Sequence, residues 1–210
     1  MPKILFAWSG GKDSAIALWE IMKKPEYTLT ALLTTMTENY DRISMHGVRN
    51  SLLEKQANSI GLPLTKVYIS KKSSNEEYES KMKEKLVYYK STGVTSVAFG
   101  DIFLEDLRKY RENNLSQIQI DAVFPIWKRN TLELANCFIE NGFKAIVTCI
   151  DTNHLDKSFL SDLPAKVDPC GENGEFHTFV YNGPIFKYPL TVKKGKVVLR
   201  EKRFYFCDII

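Results

Sequence analysis

Short apolar runs rich in β-branched and aromatic residues alternate along this chain with longer stretches of helical period. The runs at 4–8, 29–35, 64–69, 96–99 and 145–150 predict strands. Helices are expected from Asp13 onward and over 48–60, 75–89, 104–114 and 131–140. Gly61-Leu62-Pro63, Gly93 and Asn141-Gly142 punctuate three of the helix ends. Strands that alternate with helical segments predict an α/β fold, a parallel sheet with flanking helices. From about Val167 the pattern changes to Gly and Pro clusters. The run 190–192, a turn at Lys193-Lys194-Gly195-Lys196 and the run 197–206 then read as a β-hairpin. The expected division is a main unit over 1–120 and a smaller C-terminal region over 121–210.

Composition narrows the class. At 210 residues, with 44% hydrophobic and 26% charged positions, the chain can bury a core without staples and is unlike a disordered or fibrous sequence. Its net charge of +4 is too small to call for nucleic acid, and only Lys193, Lys194, Lys196, Arg200, Lys202 and Arg203 concentrate it. No apolar run approaches the ~20 residues of a membrane helix. The four cysteines are widely spaced and the N-terminus enters a strand at once, which predicts a cytoplasmic protein with reduced thiols. Cys149 with His154, and Cys170 with His177, lack the usual spacings of structural zinc.

The first predicted strand stops at Ser9-Gly10-Gly11-Lys12-Asp13-Ser14. A helix that follows a strand of a parallel sheet presents free N–H groups and a positive dipole end at the sheet's carboxyl edge, where ligands bind. Gly10 and Gly11 let those amides approach an anion, Lys12 adds charge, and Ser9 and Ser14 add hydroxyls. The loop is neither GxxxxGK[ST] nor GxGxxG. Asp13 inside a phosphate cradle would repel its ligand unless Mg²⁺ lay between them.

Three further stretches carry polar chemistry. His46, Gly47 and Arg49 precede a helix whose Leu52, Leu53, Gln56, Ala57 and Ile60 share one face. Gly100-Asp101 closes another strand at the carboxyl edge, where Asp101 could take Mg²⁺ or a ribose hydroxyl and Arg108 or Arg111 a phosphate. The segment 167–186 packs Asp168, Glu172, Asn173, Glu175 and His177 among glycines and prolines. In a strand through Glu175-Phe176-His177 the two polar side chains would share a face and handle an amine. Each stretch also has a plain structural reading: a helix cap, an exposed face of i,i+4 pairs, and a surface hairpin.

SGGKDS resembles the SGGxDS signature of the ATP pyrophosphatases, the PP-loop enzymes. HGVR at 46–49, GDIFLEDLR at 100–108, GENGEFHTFV at 171–180 and GPIF at 183–186 are similar to one branch, the diphthine-ammonia ligases and their bacterial relatives. The resemblance implies a Rossmann-like PP-loop domain over 1–120 and a substrate-binding region over 121–210. It also implies ATP and Mg²⁺ as requirements, adenylation of a carboxylate, attack by ammonia, and an acceptor carried on a translation elongation factor where diphthamide is made. On this reading Ser9, Gly10, Gly11, Lys12, Asp13, Ser14, His46, Arg49, Gly100 and Asp101 bind ATP, with adenine against Ala7 and 34–36. Asp13 and Asp101 hold the metal. Lys12, Asp13, Glu175 and His177 are catalytic, and Arg108, Glu172, Asn173 and Glu175 bind substrate. The ligases' own pattern is EGGEFET, so Asn173 and His177 depart from it in the acceptor region. Two alternatives stay open: a PP-loop enzyme that modifies tRNA, and a sensor that holds ATP without chemistry. A homodimer is compatible with all three.

Overall fold

In the computed structural model, which describes residues 1–38, 42–43, 47–70, 73–160 and 167–210, β1 (Lys3–Ala7) is buried between two cores. Ile4 and Phe6, with Trp8 just beyond the strand, enter one core, and Leu5 and Ala7 enter the other, as the period of two along a strand requires. On one side of β1 lie β2 (Thr28–Thr37) and then β4 (Leu64–Ile69); on the other lie β5 (Val94–Ala98) and β6 (Asp121–Val123). All five run parallel. The chain builds outward from β1 to β4, then returns to β5 beside β1. The strand order therefore reverses next to β1, and the carboxyl ends of β1 and β5 form the crevice in which such sheets bind ligands.

The helices α1 (Lys12–Met22) and α2 (Asn50–Ile60) cover the first core, into which they bury Ile16, Leu18, Leu52 and Leu53. The helices α3 (Asn75–Ser91) and α4 (Glu105–Ser116) cover the second with Leu86 and Leu115. The helix α5 (Thr131–Glu140) adds Leu134 to the first core. The short β3 (Arg42–Ile43) pairs antiparallel with Met36 and Thr37 of β2. Because β4 occupies the other edge of β2 at those same residues, β3 must lie on the β1 side, past the end of β1 and over the crevice.

A second sheet, antiparallel throughout, is formed by β7 (Lys144–Asp151), β8 (Phe176–Asn182), β9 (Lys194–Arg200) and β10 (Phe204–Ile209) in the order β8-β7-β10-β9. Phe179, Val180 and Ile209 enter the same core as Ile4 and Phe6. The hairpin sits later than the sequence suggests. Lys194 and Gly195 belong to β9, and the chain reverses at 201–203, where Glu201 and Lys202 both take φ of 53°. Neither is a usual residue for the left-handed region. Gly195, the apparent turn glycine, sits instead at a tight approach: a Cβ there would lie 3.3 Å from the carbonyl oxygen and Cβ of Asp208.

One buried amide ties the two sheets together. Gln56 of α2 has no exposed surface. Its Oε1 accepts from Trp8 Nε1 at 3.0 Å, and its Nε2 donates to the carbonyls of Gly10 (3.1 Å) and Val180 (2.6 Å). Val180 N in turn donates to Gly10 O at 2.9 Å. The outer edge of β8 is thus paired with the loop after β1, which keeps an edge strand from standing open. Gln56→Leu would strand Trp8 Nε1 and take a donor from two carbonyls. We expect it to lower the unfolding free energy by about 2–4 kcal/mol in urea titrations.

Candidate active site

The loop after β1 is shaped before any ligand arrives. Gly10 takes φ +77°, and a Cβ on it would lie 2.7 Å from Gln56 Oε1, so both the backbone and the space demand glycine. Gly11 is the N-cap of α1 in extended geometry and offers no side-chain cap. The first amides of a helix have no intrahelical acceptor. That of Lys12 donates to Thr178 Oγ1 of β8 at 3.0 Å; those of Asp13 and Ser14 point out of the helix start. Ser14 Oγ donates to Gly11 O at 2.9 Å and stands 3.0 Å from Ser9 Oγ, which accepts from Gly11 N at 3.3 Å.

Lys12 is buried. Its Nζ donates to Asp13 Oδ2 at 2.8 Å and to the Cys170 carbonyl, and it lies 5.0 Å from the centre of the Phe176 ring. Burial works against the ammonium, but the Asp13 carboxylate outweighs it with help from Cys170 and Glu172, so the lysine is held above its ordinary pKa. The other Asp13 oxygen, Oδ1, is buried with no hydrogen-bond partner among the described residues. An orphaned carboxylate oxygen at a helix opening fits an incoming cation or donor.

These groups form one wall of a cavity of about 580 Å³. Its floor is the carboxyl edge of the sheet at Ala7, Thr34, Thr35 and Gly100; α3 and α4 contribute an apolar end with Met82, Leu86 and Leu107. The segment leading into β8 adjoins the helix-opening wall through Lys12 and adds Glu172 and His177 to the lining. That segment is fixed by its own bonds. Asp168 Oδ1 accepts from the amides of Cys170 (2.8 Å) and Glu172 (3.4 Å), while Asp168 Oδ2 accepts from Thr131 Oγ1 at the start of α5 (2.8 Å). Burial, aided by Asp13, pushes the Glu172 carboxyl up to about 7. Burial, then the Lys12 charge, pulls His177 below its ordinary value. Near neutrality the cavity therefore holds a carboxyl poised to exchange a proton beside a neutral imidazole.

Several residues expected at the site stand elsewhere. Glu175 precedes β8 and does not line the cavity; its carboxylate accepts from the Asn173 amide and from Asn173 Nδ2, both at 2.9 Å. The strand begins at Phe176, so the turn captures Glu175, and Asn173 serves to hold it. Arg108 pairs with Glu112 at 2.7 Å and stacks on Phe124 and Trp127, away from the cavity. Arg49 caps α2 but its guanidinium goes to Asp208 of β10 at 2.5 Å, as does Arg42 at 3.0 Å. Together they depress the Asp208 carboxyl to about 2, with Arg49 the stronger. Asp101 lines the cavity but is engaged by Arg111, whose Nη2 donates to Oδ1 at 3.2 Å. His46 lies outside the described residues. Cys149 and Cys170 are pushed up to about 12 by burial, and among the described residues no three His, Cys, Asp or Glu side chains gather as a metal site. No helix among them is long and apolar enough to cross a membrane.

Gln56, Thr178 and Asp168 were not singled out for the roles they play. The signal for Gln56 was its polarity on an otherwise apolar helix face; Thr178 and Asp168 gave none, because their partners are distant in sequence.

The Glu172 shift has a definite sign. A carboxyl whose folded pKa is raised favours the native state below its unfolded value of 4.5, and that contribution is lost as pH rises through about 7. Glu172→Gln should therefore gain stability relative to the parent protein between pH 6 and 8 and show little difference at pH 4, as read from paired thermal melts.

Comparison with known proteins places this geometry in context. A family model described as the diphthamide synthase N-terminal domain matches residues 2–118, and one described as the diphthamide synthase C-terminal domain matches residues 130–209. The diphthine–ammonia ligase of Danio rerio is 24% identical over 223 residues, covering 92% of this chain and 87% of the relative. That of Homo sapiens is 23% identical over 224 residues, covering 92% and 84%. Among solved structures, a chain described as a predicted subunit of tRNA methyltransferase from Methanocaldococcus jannaschii is 16% identical, covers 75% of this chain and 82% of its own, and aligns with a TM-score of 0.42.

Proposed function

The chain belongs to the diphthamide synthase family, and from that membership we propose that it is an ATP-dependent ligase that adenylates a carboxylate and passes the activated carbon to ammonia. The observation that carries this reading is that one cavity is lined both by a helix opening suited to phosphate and by a segment holding Glu172 and His177. Simple nucleotide retention does not require that segment.

In this reading residues 1–120 hold the nucleotide and residues 121–210 present the acceptor. The amides of Asp13 and Ser14, the Ser9 and Ser14 hydroxyls and Lys12 hold the β- and γ-phosphates and stabilise charge on the departing pyrophosphate. Asp13, through its orphaned Oδ1, would hold Mg²⁺; phosphate oxygens would complete its shell, since Asp101 is taken up by Arg111. The metal would supply charge neutralisation between Asp13 and the triphosphate. Adenine fits the floor at Ala7, Thr34 and Thr35.

A carboxylate oxygen of the acceptor attacks the α-phosphorus, the bond to the β-phosphate oxygen breaks, and pyrophosphate leaves. Ammonia then attacks the acyl carbon, the acyl–oxygen bond to AMP breaks, and the surplus proton on nitrogen passes to the Glu172 carboxylate, with the neutral His177 as its neighbour. Glu172 thus takes over the role expected of Glu175. The relatives are named for diphthine, which makes a diphthine-like carboxylate the first acceptor to try. The departure at Asn173 is absorbed in the turn around Glu175, whereas that at His177 faces the cavity.

The test incubates the protein with ATP, Mg²⁺, ammonium and diphthine-bearing acceptor and follows the products. AMP and pyrophosphate are expected, with Asp13→Ala lowering their formation by about 10²-fold or more and His177→Ala sparing ATP binding while reducing the amide. Release of ADP and orthophosphate would sink the proposal.

A further inference from the structure

Among the described residues, Lys12 and Arg111 are the lysine and arginine side chains that line the cavity, together with the carboxyls of Asp13, Asp101 and Glu172. The chemistry proposed above draws on Lys12 alone, and Lys12 is already shared between Asp13 and the Cys170 carbonyl. A triphosphate entering a wall so rich in carboxyls needs more positive charge than one lysine supplies.

Arg111 stands where that charge is needed. A Cβ placed on Gly100 would lie 2.9 Å from Ser14 N and 3.0 Å from Asp13 C, so the peptide after β5 runs directly against the opening turn of α1. Asp101 is the next residue, and it holds Arg111. The hold is imperfect: Arg111 Nε lies 2.7 Å from Asp101 Oδ2, yet both atoms are buried and neither makes a well-directed hydrogen bond. The guanidinium also lies 4.3 Å from the centre of the Phe99 ring. Charge and a ring face keep it in place while a buried N–H goes unspent. A pair that served only to join α4 to the sheet would be expected to align, since an unsatisfied buried donor costs about 1–3 kcal/mol. Arg108, three residues earlier, shows the contrast: it is fully engaged by Glu112 and two aromatic rings outside the cavity.

We propose that Arg111 is the second cation of the phosphate cradle, binding the phosphate chain directly through its guanidinium fork, and that Asp101 is its positioning residue instead of a metal ligand. This rests on the nucleotide reading of the cavity. Arg111 lines the cavity while its Nε is turned to Asp101, and the planar fork of its terminal N–H groups suits two phosphate oxygens at once.

Calorimetric titration separates the possibilities, using ATP, inorganic pyrophosphate and adenosine as probes at saturating Mg²⁺, with the Mg²⁺ concentration varied in a second series. Arg111→Gln is expected to weaken ATP and pyrophosphate about tenfold and to leave adenosine unchanged, which shows that the cavity is still formed. Arg111→Lys should recover part of the loss. Asp101→Asn should weaken pyrophosphate about threefold, add nothing in the Arg111→Gln background, and leave the Mg²⁺ concentration for half-maximal ATP binding unaltered. If the parent protein binds neither ATP nor pyrophosphate, the nucleotide reading fails and this proposal with it. If it binds both and Arg111→Gln takes up pyrophosphate within a factor of two of the parent, the assignment of Arg111 alone is overturned. A raised Mg²⁺ requirement in Asp101→Asn, present with or without Arg111, returns Asp101 to the metal.

Discussion

The architecture turns on how one carbonyl is satisfied. Gly10 O, in the loop after the central strand, accepts from Val180 N of the second sheet and from Gln56 Nε2 of a helix on the first. A backbone group so deep in the protein must be paired. Here the pairing joins β1, α2 and β8 at a single point beside the start of α1, where the amides of Asp13 and Ser14 have no intrahelical acceptor. The phosphate-type loop is thus held open from behind by the second sheet, with Thr178 and Val180 as its props.

Charge is arranged around this frame in layers. Next to the helix opening Lys12 neutralises one oxygen of Asp13 and leaves the other bare. One step out, burial and the nearby Asp13 keep the Glu172 carboxyl near its half-protonated point, while the Asp168 carboxylate, bound to two amides of the same segment, fixes where Glu172 stands. Outside the cavity lining, Asp208 collects Arg42 and Arg49 and anchors β10 against β3. The outermost group joins two strands, whereas Lys12, Asp13 and Glu172 line the cavity, although all were plain charged residues in the sequence.

Much of this was legible from the chain itself. The apolar runs located four of the five parallel strands, and SGGKDS after the first of them located the helix opening, because both signals are local; β6 at 121–123 was missed, and the run at 145–150 is β7 of the antiparallel sheet, not a strand of the parallel one. What failed was non-local. The hairpin turn was placed at Lys193-Lys194-Gly195-Lys196, where a glycine suggested one; the chain turns instead at Glu201 and Lys202, and the glycine answers a close approach by Asp208. Glu175 and His177 were assigned one face of a strand, but the strand begins at Phe176 and Asn173 captures Glu175. Arg108 and Arg111 were indistinguishable by type; which of them meets the cavity depends on the orientation of α4, which is set by Phe99 and Asp101.

The shared core has a consequence for how such chains diversify. Phe179, Val180 and Ile209 of the second sheet lie in the same apolar mass as Ile4, Phe6 and Leu53. Cutting between the two sheets would bare both sides of that mass, and the helix opening would lose its props in the same stroke. The halves are therefore not interchangeable modules. Recombination that swaps the second sheet must carry the matching face of α2 along, so the cavity lining changes more readily by substitution along the Asp168–His177 segment than by exchange of whole parts.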